Sequence, residues 1–261
     1  MKTLKVHYFQ HIEGESLGSC EIYLNDQYDA QITTTAFYAL PPRAVLAREA
    51  LPSIQDVDLL IVMGGTMSAN DEQHYAWLSA ETSWIREYIE AGGAVIGLCL
   101  GAQLIAKSLG KTVQANPEKE RGWRQVYAVP QTLPDSFPVP EVFTVLEWHA
   151  ETFELPDQAI HLAYNDVCQN QMFQYRDHVI GFQFHPEVTP KNLQMYFATL
   201  DEDLKKYQGP YVAEVAETLN VPAKQYTAGN QLLNQAIDFV LEQTKYRRGN
   251  CRVEMLDSVL G

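Results

Sequence analysis

At 261 residues, 46% of them hydrophobic, the chain is long enough to form one large α/β unit with a packed core, and nothing in it resembles a disordered protein. Its 19 Lys and Arg against 33 Asp and Glu leave a net charge of −14 with no basic run, which argues against a nucleic-acid backbone or an anionic membrane as partner. The four cysteines are far apart and form no CxxC pair, so neither a zinc site nor a dithiol is expected.

Residues 3–11 (TLKVHYFQH) read as a first strand rather than a signal peptide. A second β-rich run, 30–39 (AQITTTAFYA), follows a polar segment, 13–29, with helical potential. Residues 57–65 (VDLLIVMGG) are nearly all apolar and end in glycines, the pattern of a strand buried on both faces. In 72–91, Tyr75, Leu78, Trp84, Ile85 and Ile89 fall roughly on one helical face, and the glycines at 92–93 stop the helix. Another buried strand at 94–100 (AVIGLCL) leads to a helix at 102–110. Strand, helix, strand, helix in this order implies parallel strands with crossover helices, a doubly wound α/β sheet.

From about 111 to 184 the chain changes to short strands and Pro-rich turns, which predicts antiparallel additions to that sheet. Helices are expected again at about 190–207 and 229–245, and 246–261 reads as a tail or a packing element. No repeat or low-complexity linker interrupts the chain. Residues 1–205 are expected to form the main domain, with 206–261 a helical extension packed on it or trailing from it. No stretch reaches the roughly 18 consecutive apolar residues of a membrane helix, so the expected setting is cytoplasmic, with reduced thiols.

The stretch GLCLGAQ (97–103) puts Cys99 between two glycines where a strand runs into a helix. A buried, inert cysteine is one reading. The other is the thiol version of a nucleophile elbow: Gly97 and Gly101 relieve crowding in the turn, and the helix aims its free N–H groups at the thiol. Those N–H groups can also bind the oxyanion of a tetrahedral intermediate. In FQFHPEV (182–188) an apolar strand delivers His185, and Glu187 follows at i+2 beyond a proline that favours extended backbone. The carboxylate can then fix the imidazole tautomer while the other ring nitrogen faces a thiol.

A glycine-rich loop, MGGTMSAND (63–71), lies at the carboxyl end of a buried strand, where open α/β sheets place their sites. It can offer a second oxyanion donor near Gly65 or Thr66, and it fits neither standard phosphate-loop spacing. His149, followed by Glu151, repeats the His-x-Glu spacing and is a rival; it is expected to line the pocket or pack near it. His11 and Glu13 could approach the site or be structural. Cys168 is expected to be a packing residue, and Cys20 and Cys251 carry no motif. The order Cys, His, Glu disfavours an α/β-hydrolase, whose acid precedes its histidine, and no HExxH occurs.

Together MGGTMSAND, GLCLGAQLIAKSLG and GFQFHPEVT resemble class I glutamine amidotransferase domains, the Cys-His-Glu glutaminases attached to enzymes such as GMP synthetase, anthranilate synthase and carbamoyl phosphate synthase. The segments 10–18 (QHIEGESLG), 122–126 (GWRQV) and 147–156 (EWHAETFELP) look closer still to stand-alone GMP synthase-like members. The resemblance implies a flavodoxin-like fold and a triad of Cys99, His185 and Glu187. It also implies an oxyanion hole from the N–H groups of Gly65 and Leu100, and Gln103 contacting the substrate. Two departures stand out: Thr66 replaces the family's frequent proline and Ala102 its frequent histidine.

The implied activity is hydrolysis of a glutamine side-chain amide through a γ-glutamyl thioester, with no cofactor and no metal. The released ammonia would go to a synthetase partner chain, since no synthetase domain is present in these residues. A stand-alone hydrolase of γ-glutamyl compounds and an inactive scaffold or regulator are the alternatives.

Overall fold

The computed structural model describes residues 3–131, 133–199 and 208–257, with side chains in the last helix described as far as Thr244. The alternation of side chains along the central strands explains the architecture. In β3 (Leu59–Val62), Leu59 and Ile61 face one apolar layer and Leu60 and Val62 the other. In β4 (Ala94–Leu98), Ala94, Ile96 and Leu98 face the first layer and Val95 the second. Such strands are stable only with helices on both faces.

On one face lie α1 (Ser19–Tyr28), through Cys20 and Leu24, and the long α6 (Lys224–Asp257), through Leu232, Leu233, Ala236, Ile237, Val240 and Leu241. On the other lie α2 (Trp77–Glu90) and α3 (Leu100–Ser108). Trp84 and Tyr88 of α2 stack at 5.0 Å, a large apolar payload on one helical face.

One nine-stranded sheet runs through the molecule in the order β2-β1-β3-β4-β9-β8-β7-β5-β6. Its parallel half comprises β2 (Gln31–Ala36), β1 (Lys5–Gln10), β3, β4 and β9 (Val179–Phe182). The antiparallel half adds β8 (Met172–Tyr175), β7 (Ile160–Tyr164), β5 (Val113–Ala128) and β6 (Val142–Phe153). The doubly wound, flavodoxin-like sheet with antiparallel additions expected from the sequence is therefore the fold.

Details differ from expectation. The middle of the chain holds two long strands rather than only short ones, because β5 continues through Pro117 by shifting register between Ala115 and Glu120. Helix α2 starts at Trp77, and Tyr75 packs just ahead of it. The helix expected at 190–207 is α4 (Pro190–Thr199), and 200–207 fall outside the described residues. A short α5 (Val215–Leu219) precedes α6, whose backbone continues far past the expected stop at 245. Tyr226 joins Leu146, Trp148, Val188 and Leu193 in a third apolar cluster beside the carboxyl ends of the strands. Among the described residues no helix is long and apolar enough to cross a membrane.

Candidate active site

Strand β4 meets α3 at Cys99, whose φ of 51° and ψ of −107° are unusual for a side-chain-bearing residue. Such backbone costs on the order of 1–3 kcal/mol and persists only where its surroundings hold it. Here the Cys99 N–H donates to the Phe182 carbonyl at 2.7 Å, and the Cys99 carbonyl accepts from Ala102 at 3.1 Å. The second glycine of the motif is obligatory: a Cβ on Gly101 would sit 2.0 Å from the Val62 carbonyl oxygen. The elbow therefore exists because α3 lies directly against the end of β3.

Past β9 the chain does not stay extended as the proline suggested: it bends at Gln183 and Phe184, bridges Leu146 at His185 and turns at Pro186 and Glu187, and this turn brings the His185 and Glu187 side chains together. The His185 Nδ1–H donates to Glu187 Oε1 at 2.8 Å, which fixes the tautomer. The Cys99 side chain lies beside the imidazole, and its Sγ–H donates to the Trp148 carbonyl at 3.5 Å. Burial pushes the His185 imidazole down, but the Glu187 carboxylate and the Cys99 sulfur outweigh it and hold the pKa well above the ordinary value. Several elements brace this turn. The His185 N–H donates to the Leu146 carbonyl of β6 at 2.9 Å, and the Ser19 N–H of α1 donates to the Glu187 carbonyl at 2.9 Å. From α6, Asn230 Nδ2 donates to the carbonyls of Pro186 at 2.7 Å and Val188 at 3.0 Å.

The loop after β3 completes the group. A methyl on Gly64 would lie 2.9 Å from Glu15 Oε1, 3.1 Å from His185 Cε1 and 3.7 Å from Cys99 Cβ, so a carboxylate, an imidazole and a thiol-bearing side chain converge where this residue has none. The N–H groups of Gly65 and Leu100 find no acceptor among the described residues. Both residues line a cavity of about 330 Å³ together with Cys99, His185, Gln103 and Glu15. Glu15 is buried, its Oε2 has no partner among the described residues, and burial raises its pKa to about 8 against the pull of His11.

The class-I glutamine amidotransferase model matches residues 18–201, more than half of the chain. The chain belongs to the class-I glutamine amidotransferase family. It is 33% identical to the glutamine amidotransferase-like protein YfeJ of Salmonella typhimurium over 221 residues, covering 82% of this chain and 89% of that one. It is similar to a glutamine amidotransferase structure from Thermotoga maritima (TM-score 0.79, 25% identity, 93% of this chain, 100% of the other). A glutamine amidotransferase structure from Methylobacillus flagellatus gives 0.76, at 26% identity over 92% of this chain and 95% of the other.

Shorter matches are to a glutamine-hydrolysing GMP synthase component of Methanospirillum hungatei and to gamma-glutamyl peptidase 5 of Arabidopsis thaliana. The first is 33% identical over 40% of this chain and 55% of that protein. The second is 28% identical over 48% and 51%.

In this amidotransferase-family chain the remaining sequence candidates fall as follows. Gln103 lines the cavity, but its amide nitrogen donates to the Glu151 carbonyl at 3.1 Å and to Gln183 Oε1 at 3.2 Å, leaving only its own oxygen for a ligand. Gln183 in turn places Nε2 3.9 Å from the Cys99 sulfur. The sequence reading missed Gln183, though it stands only two residues before His185.

His149 does line the cavity, yet its carboxylate partners are Glu120 at 3.1 Å and Glu147 at 3.2 Å. It meets Glu151, the partner its spacing suggested, only through that residue's backbone carbonyl, while the Glu151 side chain accepts from Ser68. Glu13 lines the cavity and His11 lies behind the glycine loop. Ala102 is buried, and Thr66 stands exposed at the cavity rim. Cys20 and Cys168 are buried and free, and the Cys251 side chain lies outside the described residues.

Glu120, His149 and Cys168 bring their ligand atoms within 4.8 Å of one another. Glu120 already accepts from Asn165, Gln171 and His149, and burial pushes the Cys168 thiol up, away from the thiolate a metal would take. That donor set fits a hydrogen-bonded charge cluster better than a metal centre.

Proposed function

We propose that the protein hydrolyses the side-chain amide of glutamine, with Cys99 as nucleophile, His185 as acid and base, and Glu187 orienting the imidazole. The observation that carries this reading is the setting of His185: Nδ1 is bound to Glu187, and the imidazole and the Cys99 side chain converge beside Gly64.

The Cys99 thiolate attacks the amide carbon, and the oxygen takes up negative charge facing the N–H groups of Gly65 and Leu100. The His185 imidazolium gives its proton to the departing nitrogen, so the C–N bond breaks to release ammonia and leave a γ-glutamyl thioester. Neutral His185 then takes a proton from water, whose oxygen attacks the thioester. Breaking the C–S bond returns the thiolate and leaves glutamate. Water is the only co-reactant. The similarity to a glutamine-hydrolysing component of GMP synthase supports a synthetase partner that consumes the ammonia.

Treatment with a glutamine-mimicking electrophile, followed by mass spectrometry, tests the assignment. Labelling of Cys99 alone is the expected result; a label elsewhere overturns both nucleophile and pocket.

A second reading keeps the triad and takes a γ-glutamyl peptide or amide as substrate, as the similarity to a gamma-glutamyl peptidase suggests. The purified chain assayed alone on glutamine and on γ-glutamyl dipeptides separates the two. Strong turnover of the dipeptides with little of glutamine would reject the amidotransferase reading.

A further inference from the structure

Behind the glycine loop, on the side away from the cavity, lies a histidine–glutamate pair that the mechanism above does not use. His11 and Glu81 have fully buried side chains. His11 follows the end of β1, Glu81 projects from α2, and the imidazole stacks on Phe37 (5.7 Å, 4°) and Trp77 (5.9 Å, 19°). Burying two ionisable groups so completely is costly unless each is paired, and here both ring nitrogens have partners. Nε2 meets Glu81 Oε1 at 2.8 Å, and Nδ1 meets the Gly64 carbonyl oxygen at 2.7 Å. A carbonyl can only accept, so Nδ1 must carry a proton.

The consequence lies in the next peptide unit. The chain contains no cis peptide bond among its described residues, so the Gly64 carbonyl and the Gly65 N–H belong to one trans plane and point in opposite directions. His11 draws the carbonyl toward the back of the loop. The Gly65 N–H is thereby turned toward the cavity, which Gly65 lines and His11 does not. Two successive glycines offer little steric resistance to a flip of that plane. A flipped plane would present a carbonyl oxygen to the developing oxyanion in place of a donor.

We infer that His11 and Glu81 form a positioning pair that locks the Gly64 carbonyl and so orients the Gly65 N–H as an oxyanion donor. This rests on the proposed thioester chemistry. Glu81 holds the imidazole in place from α2, and His11 fixes the peptide plane. Neither touches substrate.

The test compares three variants in the full chain. His11→Leu removes the donor, His11→Asn keeps an N–H close to the Nδ1 position, and Glu81→Gln weakens the support. His11→Leu is expected to lower kcat for glutamine about 10²-fold with little change in KM, the scale of losing one oxyanion donor. His11→Asn should recover most of that loss, and Glu81→Gln should lose roughly tenfold. Alkylation of Cys99 by iodoacetamide, a displacement at saturated carbon that builds no oxyanion on a carbonyl, should proceed at the wild-type rate in all three.

Wild-type kcat in His11→Leu overturns the inference. So does a parallel fall in turnover and alkylation, which marks a general structural role. If His11→Leu does not fold, Glu81→Gln decides: reduced kcat with normal alkylation supports the pair, and unchanged kcat rejects it. A wild-type chain that turns over neither glutamine nor a γ-glutamyl dipeptide removes the thioester reading itself, an outcome seen before any variant is made.

Discussion

His185 and His149 line the same cavity, both are buried, and each lies against glutamate, yet their surroundings assign them different work. Every nitrogen of His149 is occupied by the protein: Nδ1 by the Glu151 carbonyl, Nε2 by Glu120 and Glu147. Among the described residues His185 pairs through Nδ1 alone, and its ring lies beside Cys99 where both approach Gly64. In both, burial pushes the imidazole down and neighbouring carboxylates raise it well above its ordinary value. A carboxylate neighbour thus makes a buried histidine cationic, whereas only a nitrogen facing a nucleophile lets it move a proton.

The sharpest way to break this contrast is at the proposed nucleophile. Cys99→Ala is expected to lower steady-state hydrolysis roughly 10⁴-fold or more, the scale of a lost triad member. His149→Gln should keep most of its turnover, and comparable losses in the two would erase the distinction. In unfolding by urea the ranking reverses. His149→Gln leaves Glu120 and Glu147 facing each other without their shared cation, and breaking such a buried pair costs about 3–5 kcal/mol.

Glu187→Gln is expected to cost roughly 10²-fold in kcat, because the tautomer and orientation of His185 are no longer enforced. Glu147→Gln, on the other histidine, should leave kcat near wild type.

The mildest effect concerns a third buried histidine with no carboxylate at all. His7 lies between the hydroxyls of Thr33 and Thr35, and burial alone pushes its pKa down to about 4. The unfolded chain takes up a proton near pH 6.5 and the folded one only near 4, so His7 removes stability as pH falls across that window. His149 has the opposite sign: its contribution is complete below pH 6.5 and is lost as pH rises through its elevated folded value. A His7→Gln variant should therefore show a flatter loss of stability between pH 6.5 and 4, measured by urea unfolding at several pH values. An unchanged slope would mean that His7 is not buried neutral.

Much of the site was legible because its key geometry is local. The glycines around Cys99 report a tight turn, and His185 and Glu187 are near enough in sequence to meet, though they do so across a turn at Pro186 and Glu187 and not on the extended backbone their i, i+2 spacing suggested. The same alternation made the buried strands readable. What escaped is brought together by topology: Glu15 and His11 converge on Gly64, Glu81 reaches His11 from α2, and Glu120 reaches His149 across the β5 and β6 pairing. No spacing rule joins residues 29 or 70 positions apart. The length of β5 escaped for a different reason: Pro117 sits inside a bulged strand, where it ordinarily signals an end.

The grip of Asn230 on the Pro186 and Val188 carbonyls ties the order of synthesis to the site. The ribosome releases Cys99, then His185, and reaches Asn230 only 44 residues after Pro186. A nascent chain is expected to display its thiol before the turn carrying His185 and Glu187 is fastened. Asn230→Ala, which removes the grip and leaves the rest of α6 packed, is expected to take an alkylating label on Cys99 as the wild type does but to turn over substrate more slowly. The helix that belongs to no motif would then be the part that arms the site.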